Sequence, residues 1–279
     1  MSLIIARKIE NAIIILGDTK LTYKDEIERK RPLYGTIKII RQSEKVAIAF
    51  AGDNYFAHLA FQKITPNSDI NVIKLILHKS HLDSGQKVDY IIASLNPNNI
   101  FEVKNGKIEK VNQSWIGSVE GFSKFQMYTQ KENTITPDLT TMKVKEIPKY
   151  LTSKSSEIYS KLFDAMLDVV NDESIPEVGG FVIPLVSEGF KFKFPTYVDV
   201  FRKPLEAEEI AINATVSFGN ASIGSYILNF WGGNNNCIAI HLPSPCSPPI
   251  SPKLTTNLPL KNGVARSQSP TADAYFEVS

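Results

Sequence analysis

The sequence predicts an α+β protein, or more specifically a layered α/β/β/α arrangement. The first observation is the order of the elements, in which two strand pairs are followed by two helices, further strands, two more helices and a last group of strands. This order differs from the alternating pattern of βαβ units. The second observation is that 43% of the 279 residues are hydrophobic, enough for the core of one large domain or two small ones.

The first fifty residues predict two antiparallel strand pairs. Residues 3–7 and 12–16 are rich in β-branched side chains, and Glu10-Asn11 lies between them as a hairpin turn. Residues 36–40 and 45–50 form the second predicted pair.

Helices and hairpins then follow in the expected order. Asn54 is the predicted cap of a first helix and residues 69–77 are a second one. Residues 89–103 predict two strands around a turn at 96–99, and Asn105-Gly106 is a strong hairpin signal. A helix is expected after Gly117, and residues 155–170 carry the clearest helical apolar stripe.

The chain is expected to divide into three parts. Residues 1–203 form the main predicted domain, which ends with strands over 181–186, 191–194 and 197–201. Residues 204–242 are a β-rich extension, with apolar runs at 225–230 and 238–242 around a Gly- and Asn-rich loop. Residues 243–279 are rich in Pro and Ser, a composition typical of a disordered tail.

Composition excludes several classes of function. The formal net charge is only +2, which argues against binding a polyanion such as nucleic acid through bulk charge. We find no membrane span, secretory signal or disulfide framework, so we expect a cytoplasmic protein. His78 and His81 could share a helix face, but no third ligand follows at metal spacing, so no metal and no cofactor is expected.

The start of the chain suggests a nucleophile. Ser2 follows Met1, and a small second residue normally permits removal of the initiator methionine. The serine would then carry a free α-amine, whose unperturbed pKa of about 8 lets it act as a base. A hydroxyl needs such a base within hydrogen-bond reach to become a good nucleophile.

Short motifs between residues 2 and 186 resemble the proteasome β-subunit and HslV family of N-terminal nucleophile (Ntn) hydrolases. Ser2 and the strand after it look like the nucleophile strand, and Asp18 follows 16 residues later, the spacing of the family. Lys38 looks like the catalytic lysine, and Gly52, 14 residues further on, looks like the Ala-Gly turn of the oxyanion hole. Ser118 resembles the Gly-Ser turn before the central helices, and the diglycine at 179–180 resembles the one before a late strand.

The resemblance implies a fold and a mechanism. The fold would be the four-layer αββα sandwich of Ntn hydrolases, with a C-terminal extension. Ser2 would attack an amide carbonyl with its own α-amine as the base, and Lys38, paired with Asp18, would ease its deprotonation. The N–H of Gly52 would stabilise the oxyanion and Ser118 would help to hold the N-terminus.

The chain also departs from the family. Most processed proteasome subunits use threonine as the nucleophile, and this chain has serine. The family places Asp and Ser just before the diglycine, where this chain has Ile175 and Val178. Asp172 and Ser174 lie nearby but out of register.

Three functions therefore remain open. The first is a proteasome-like serine peptidase, which would cleave a peptide or protein substrate in a homo-oligomer and have an unfoldase or another protein as a candidate partner. The second is a catalytically silent subunit that acts in assembly or in binding a partner. The third is an amidase of the same fold that acts on small molecules.

Overall fold

The fold is α+β, with fifteen strands and four helices in the part of the chain that the structure describes. The computed structural model describes residues 2–10, 12–20, 37–65, 67–130, 143–145, 151–195, 197–202, 214–220, 224–231 and 236–242. The strands are β1 (Leu3–Ile9), β2 (Ala12–Gly17), β3 (Ile39–Arg41), β4 (Val46–Gly52), β5 (Val88–Ser94), β6 (Asn99–Lys104), β7 (Lys107–Val111), β8 (Gln113–Gly117), β9 (Lys143–Lys145), β10 (Ile183–Glu188), β11 (Lys191–Lys193), β12 (Tyr197–Arg202), β13 (Ala214–Asn220), β14 (Gly224–Trp231) and β15 (Asn236–Leu242). The helices are α1 (Asn54–Phe61), α2 (Ile70–Asp83), α3 (Val119–Gln130) and α4 (Ser153–Asn171).

The first sheet is antiparallel and has the order β11-β10-β2-β1-β8. Strands β1 and β2 pair from Ile4 opposite Gly17 to Ile9 opposite Ala12, which confirms the predicted hairpin. Every residue of β2 is buried, because strands flank it on both sides and the sheet is covered on both faces.

The second sheet is also antiparallel and has the order β3-β4-β5-β6-β7. The predicted pair β3–β4 and the predicted strands on either side of the turn at 96–99 are confirmed. Asn105 and Gly106 connect β6 to β7 with φ of 52° and 73°. Two successive positive φ values are what a type I′ hairpin needs, which is why Asn-Gly predicts this turn.

Helices α1 and α2 begin at side-chain caps. Asp53, rather than the predicted Asn54, caps α1, since its carboxylate accepts a 2.9 Å hydrogen bond from the N–H of Tyr55. Asp69 caps α2 in the same way through the N–H of Asn71. Helix α2 continues to Asp83, six residues beyond its predicted end at 77.

Helices α3 and α4 confirm two predictions. Helix α3 begins directly after the predicted Gly117-Ser118 turn. Helix α4 begins after Thr152, whose hydroxyl accepts from the N–H of Ser155, and its buried face includes the predicted Leu162, Met166 and Val169. None of the helices in the described ranges is long and apolar enough to cross a membrane.

Three apolar clusters join these elements. Alternate residues of β2 point into two of them, with Ile13 and Ile15 on one side and Ile14 and Leu16 on the other. The cluster around Ile13 and Ile15 also takes residues from the second sheet, and the cluster around Ile14 and Leu16 takes residues from α3 and α4. The third cluster joins the other face of the second sheet to α1 and α2.

A third antiparallel sheet has the order β13-β14-β15-β12-β9. The two predicted apolar runs within 225–242 are paired strands, β14 and β15, which confirms that part of the sequence reading. The loop between these strands, at 232–235, lies outside the described residues. So does the predicted tail at 243–279.

Candidate functional site

The backbone of Ser2 is held on two sides. Ser2 lies one residue before β1 and is buried. Its carbonyl oxygen accepts a 2.6 Å hydrogen bond from the N–H of Ser118. The next N–H, that of Leu3, donates to the Asp18 carboxylate at 3.1 Å, and the N–H of Asp18 donates back to the carbonyl of Leu3 at 3.2 Å. The peptide that carries the Ser2 hydroxyl is therefore fixed between β8 and the end of β2.

Gly117 allows this close approach. Its φ is +100°, and a Cβ at this position would lie 1.8 Å from the carbonyl oxygen of Ser2 and 3.3 Å from the Cβ of Ala51. Both Ser2 and Ala51 thus border Gly117, and the residue after Ala51 is Gly52. Gly52 has φ of +111°, and a Cβ there would lie 2.1 Å from the carbonyl oxygen of Lys87. The structure therefore brings the end of β4, which carries Gly52, close to Ser2. Positions 52 and 117 both require glycine, because each has a positive φ and no room for a Cβ.

Replacing Gly117 with alanine is expected to lower the free energy of unfolding by about 3 kcal/mol, since backbone strain and a steric clash add together. The matched control is Gly189→Ala, because Gly189 also has a positive φ of +58° but has nothing within 4 Å of an added Cβ. That control should cost only about 1 kcal/mol. Urea unfolding of the two variants measures the difference. Equal losses would mean that the contact with the Ser2 carbonyl does not constrain this position.

Asp18 is the centre of the hydrogen-bond network. It directly follows Gly17 at the end of β2 and is fully buried. Beyond the N–H of Leu3, its carboxylate accepts from the N–H of Lys20 at 3.2 Å and from the N–H of Gly179 at 3.3 Å. A buried carboxylate is tolerated only when it is paired and hydrogen-bonded. Asp18 thereby ties β1 and the segment before β10 to the end of β2.

Lys38 is the cation that pairs with Asp18. It immediately precedes β3, and its side chain points inward, with only 3% of its surface exposed. Its ammonium lies 3.0 Å from Oδ1 of Asp18 and donates to the carbonyl of Lys20 at 2.7 Å and to the carbonyl of Asp18 at 3.3 Å. Burial lowers the pKa of Lys38, and the charge and hydrogen bond of Asp18 oppose that effect.

The segment from Pro176 to Phe181 runs along residues 18–20. The Lys20 ammonium donates to the carbonyl of Pro176, and the N–H of Lys20 donates to the carbonyl of Gly179 at 3.1 Å. The hydroxyl of Thr19 accepts from the N–H of Phe181 at 2.9 Å. This segment therefore covers the Asp18–Lys38 pair.

Lys20 is a second buried lysine that the sequence did not indicate as a site residue. Only 1% of its surface is exposed. Burial lowers its pKa, the charges of Asp18 and Glu177 oppose that effect, and the charge of Lys38 adds to it. No local pattern signals this burial, since a lysine after a strand is normally a solvent-exposed residue.

Ser118 is fully buried and makes two side-chain hydrogen bonds. Its hydroxyl donates to Oε1 of Glu177 at 2.7 Å and accepts from the N–H of Gly121 at 2.9 Å. Glu177 was also not predicted as a site residue. Ile175 and Val178, on either side of it in the sequence, are buried among apolar residues of the α3–α4 cluster.

Asp172 and Ser174, which the sequence placed near the diglycine, form a separate group. The Asp172 carboxylate accepts from the Tyr128 hydroxyl at 2.7 Å, lies 3.5 Å from the Lys124 ammonium and also accepts from Ser174. The burial of Tyr128 and its bond to Asp172 raise the pKa of that phenol to about 12. This group links the end of α4 to α3.

The two histidines that could share a helix face both contact the β6–β7 turn. His78 Nε2 lies 2.9 Å from the carbonyl oxygen of Gly106, while Nε2 of His81 accepts from the N–H of Gly106 and Nδ1 of His81 bonds the carbonyl of Val88. His81 Nδ1 also lies 3.4 Å from Oδ1 of Asp89. Since both rings bond the backbone of neighbouring segments, we assign both residues to packing of α2. Among the residues with described side chains, no group of three or more His, Cys, Asp or Glu could hold a metal ion.

Together, Ser2, Asp18, Lys38 and Ser118 are connected by backbone and side-chain hydrogen bonds. Ala51, the residue before Gly52, borders Gly117 next to this network. A buried serine whose following N–H is bonded to a buried ion pair, with a strand-end glycine nearby, is an arrangement that can serve nucleophilic chemistry on a carbonyl. No protein-family model matches the chain, and no curated protein matches it.

Proposed function

We propose that this protein is an N-terminal serine hydrolase of the proteasome type, which cleaves amide bonds with Ser2 as the nucleophile. The observation that carries the proposal is that the Lys38 side chain points inward and its ammonium pairs with the Asp18 carboxylate. The same carboxylate accepts a hydrogen bond from the N–H of Leu3, the residue after Ser2. A lysine exposed on the outside of the sheet would have favoured a silent subunit.

The arrangement of layers supports the same proposal. One apolar cluster joins the two main sheets, and each of the other two joins one sheet to a pair of helices. We interpret this as the four-layer αββα sandwich of Ntn hydrolases. The nucleophile would lie at the start of β1, an interior strand next to the edge of the first sheet, and the lysine just before an edge strand of the second, β3.

The proposed reaction uses only groups of Ser2, Lys38 and Gly52. The hydroxyl oxygen of Ser2 attacks the carbonyl carbon of the amide while its proton passes to the α-amine of the same residue. The positive charge of Lys38 favours loss of that proton, and the N–H of Gly52 binds the oxyanion. The amine then gives the proton to the leaving nitrogen, and water hydrolyses the ester that remains on Ser2.

The test is covalent labelling of the N-terminus. Protein expressed from its own start is treated with a peptide epoxyketone, a reagent that can bond to the hydroxyl and the amine of one residue, and the product is mapped by mass spectrometry. We expect a chain that begins at Ser2 and gains the mass of one reagent there. The matched control is the Ser2→Ala chain, which should gain none. A residue retained before Ser2, or an adduct elsewhere in the chain, would contradict the proposal.

A catalytically silent proteasome-like subunit is the second candidate. The observation that favours it is the buried apolar pair Ile175 and Val178, at positions where the resemblance leads us to expect Asp and Ser. A chain that keeps a blocked amine and binds a partner protein would fit this function. The homo-oligomer remains a prediction under either candidate, and the peptide substrate remains a prediction under the first.

A further inference from the structure

The hydroxyl of Ser118 has a defined hydrogen-bond polarity. A serine hydroxyl has one proton to donate and two lone pairs with which to accept. The proton goes to Oε1 of Glu177, and one lone pair accepts from the N–H of Gly121. Because the hydroxyl proton is already donated to Glu177, the Ser118 oxygen can form a further hydrogen bond only as an acceptor. Its own residue contacts Ser2, since the N–H of Ser118 donates to the Ser2 carbonyl.

Glu177 is held beside Ser118 by the segment that carries it. The residue before it, Pro176, accepts from the Lys20 ammonium, and Gly179 is bonded to Asp18 and Lys20. The charged side chains of this network are Asp18, Lys20, Lys38 and Glu177, two negative and two positive. The attraction between Lys20 and Glu177 partly offsets the effect of burial on the pKa of Lys20.

We infer that Glu177 is a positioning residue that acts through Ser118, because it takes the hydroxyl proton and leaves the Ser118 oxygen as an acceptor for the α-amine of Ser2. This inference rests on the proposed function, in which that amine is free. Neither Ile175 nor Val178 has a side chain that could accept this proton. The carboxylate that supports the amine is therefore supplied by Glu177, which is a different position from the one expected by resemblance.

The arrangement has a consequence for the ionisation of the amine. The negative charge of Glu177, which is hydrogen-bonded to the Ser118 hydroxyl, favours the protonated amine of Ser2 and therefore raises the pKa of that amine. Lys20 and Lys38 act in the opposite direction, and Asp18 acts in the same direction as Glu177. Changing Glu177 to glutamine keeps an acceptor for the Ser118 proton and removes only the negative charge.

The experiment measures the ionisation of the Ser2 amine without any turnover. The chain is released at Ser2 by a site-specific protease, treated with trace acetic anhydride across about pH 5 to 9, and its N-terminal peptide is quantified by mass spectrometry. Only an unprotonated amine is acetylated, so the midpoint of the profile reports the pKa of the amine. Glu177→Gln should lower the midpoint by about 1 pH unit, and Glu177→Asp, which restores the charge, should bring it back toward the wild-type value.

Two further variants complete the test. Glu173→Gln makes the same change at an exposed residue four positions earlier in the chain and should leave the midpoint unchanged. Ser118→Ala removes the oxygen through which Glu177 acts and should also lower the midpoint, so it replaces Glu177→Gln if that variant does not fold. A midpoint that stays in place or rises in the folded variants would overturn the inference.

The result separates this inference from the proposed function. If activity depends on Ser2 but Glu177→Gln leaves the midpoint unchanged, the role of Glu177 is refuted and the proposed hydrolase function is not. If the midpoint moves as expected but Ser2→Ala retains activity, the hydrolase mechanism is refuted, while the effect of Glu177 on the amine through Ser118 is supported.

Discussion

Ser2→Ala is expected to lower kcat/KM by about 1000-fold or more for any amide that the wild-type protein cleaves. Such a loss corresponds to about 4 kcal/mol of transition-state stabilisation. The reason is that alanine has no oxygen to attack the carbonyl, while every other group of the site stays in place. The measurement is hydrolysis of fluorogenic peptides by wild-type and variant proteins of the same purity.

Stability distinguishes this effect from unfolding. Ser2 is hydrogen-bonded to Ser118 through its backbone carbonyl, which alanine also has. The Ser2→Ala variant should therefore unfold at nearly the same urea concentration as the wild-type protein. Ser2→Thr keeps a hydroxyl and should retain activity. Ser123→Ala removes a hydroxyl from the exposed side of α3 and should change neither property. Turnover that persists in a pure Ser2→Ala sample would refute the mechanism.

Lys38→Met is expected to lower the free energy of unfolding by about 3 to 5 kcal/mol and to remove turnover. Lys38 and Asp18 are both almost fully buried, so methionine would leave the Asp18 carboxylate without its cation. Removing one partner of a buried ion pair costs this much because an uncompensated charge remains in a medium of low polarity. The carbonyl groups of Asp18 and Lys20 would also lose a donor. Urea unfolding measures the loss in stability.

A double-mutant cycle tests the cause of that loss. If the buried charge is responsible, the Asp18→Asn/Lys38→Met double variant should lose less stability than the sum of the two single variants, by about 2 kcal/mol. Lys79→Met is the matched control, because Lys79 is exposed on α2, and it should change stability by less than about 0.5 kcal/mol. Additive losses from the two buried positions would argue against a coupled pair.

The secondary structure could largely be predicted from the sequence because its signals are local. The β1–β2 hairpin follows from two β-branched runs, and the β6–β7 turn follows from the tolerance of Asn105 and Gly106 for positive φ. Helix α4 follows from an apolar stripe of helical period. Strand β8 was not predicted, because its five residues are too short and too polar to alternate clearly. The far end of α2 was missed because a buried Ser and a buried His continue its inner face there.

Only some residues of the candidate site could be predicted from the sequence. Ser2, Asp18 and Lys38 could be proposed because each lies in or next to a predicted strand, at spacings that resemble a known family. Lys20 and Glu177 could not be proposed in this way. Their hydrogen bonds join residues 59 to 156 positions apart, and no local pattern encodes such contacts.

The sequence by itself therefore determined most of the strands and helices, since backbone preferences and the alternation of apolar side chains act over a few residues. Only the tertiary structure decided which strands are neighbours and which polar side chains are buried. Lys38 illustrates the difference, because in the sequence it is a lysine in an apolar strand, and either face was open to it. Its direction was decided by the Asp18 carboxylate and the Lys20 carbonyl, which folding brings to one side of that strand and which supply the acceptors that a buried ammonium requires.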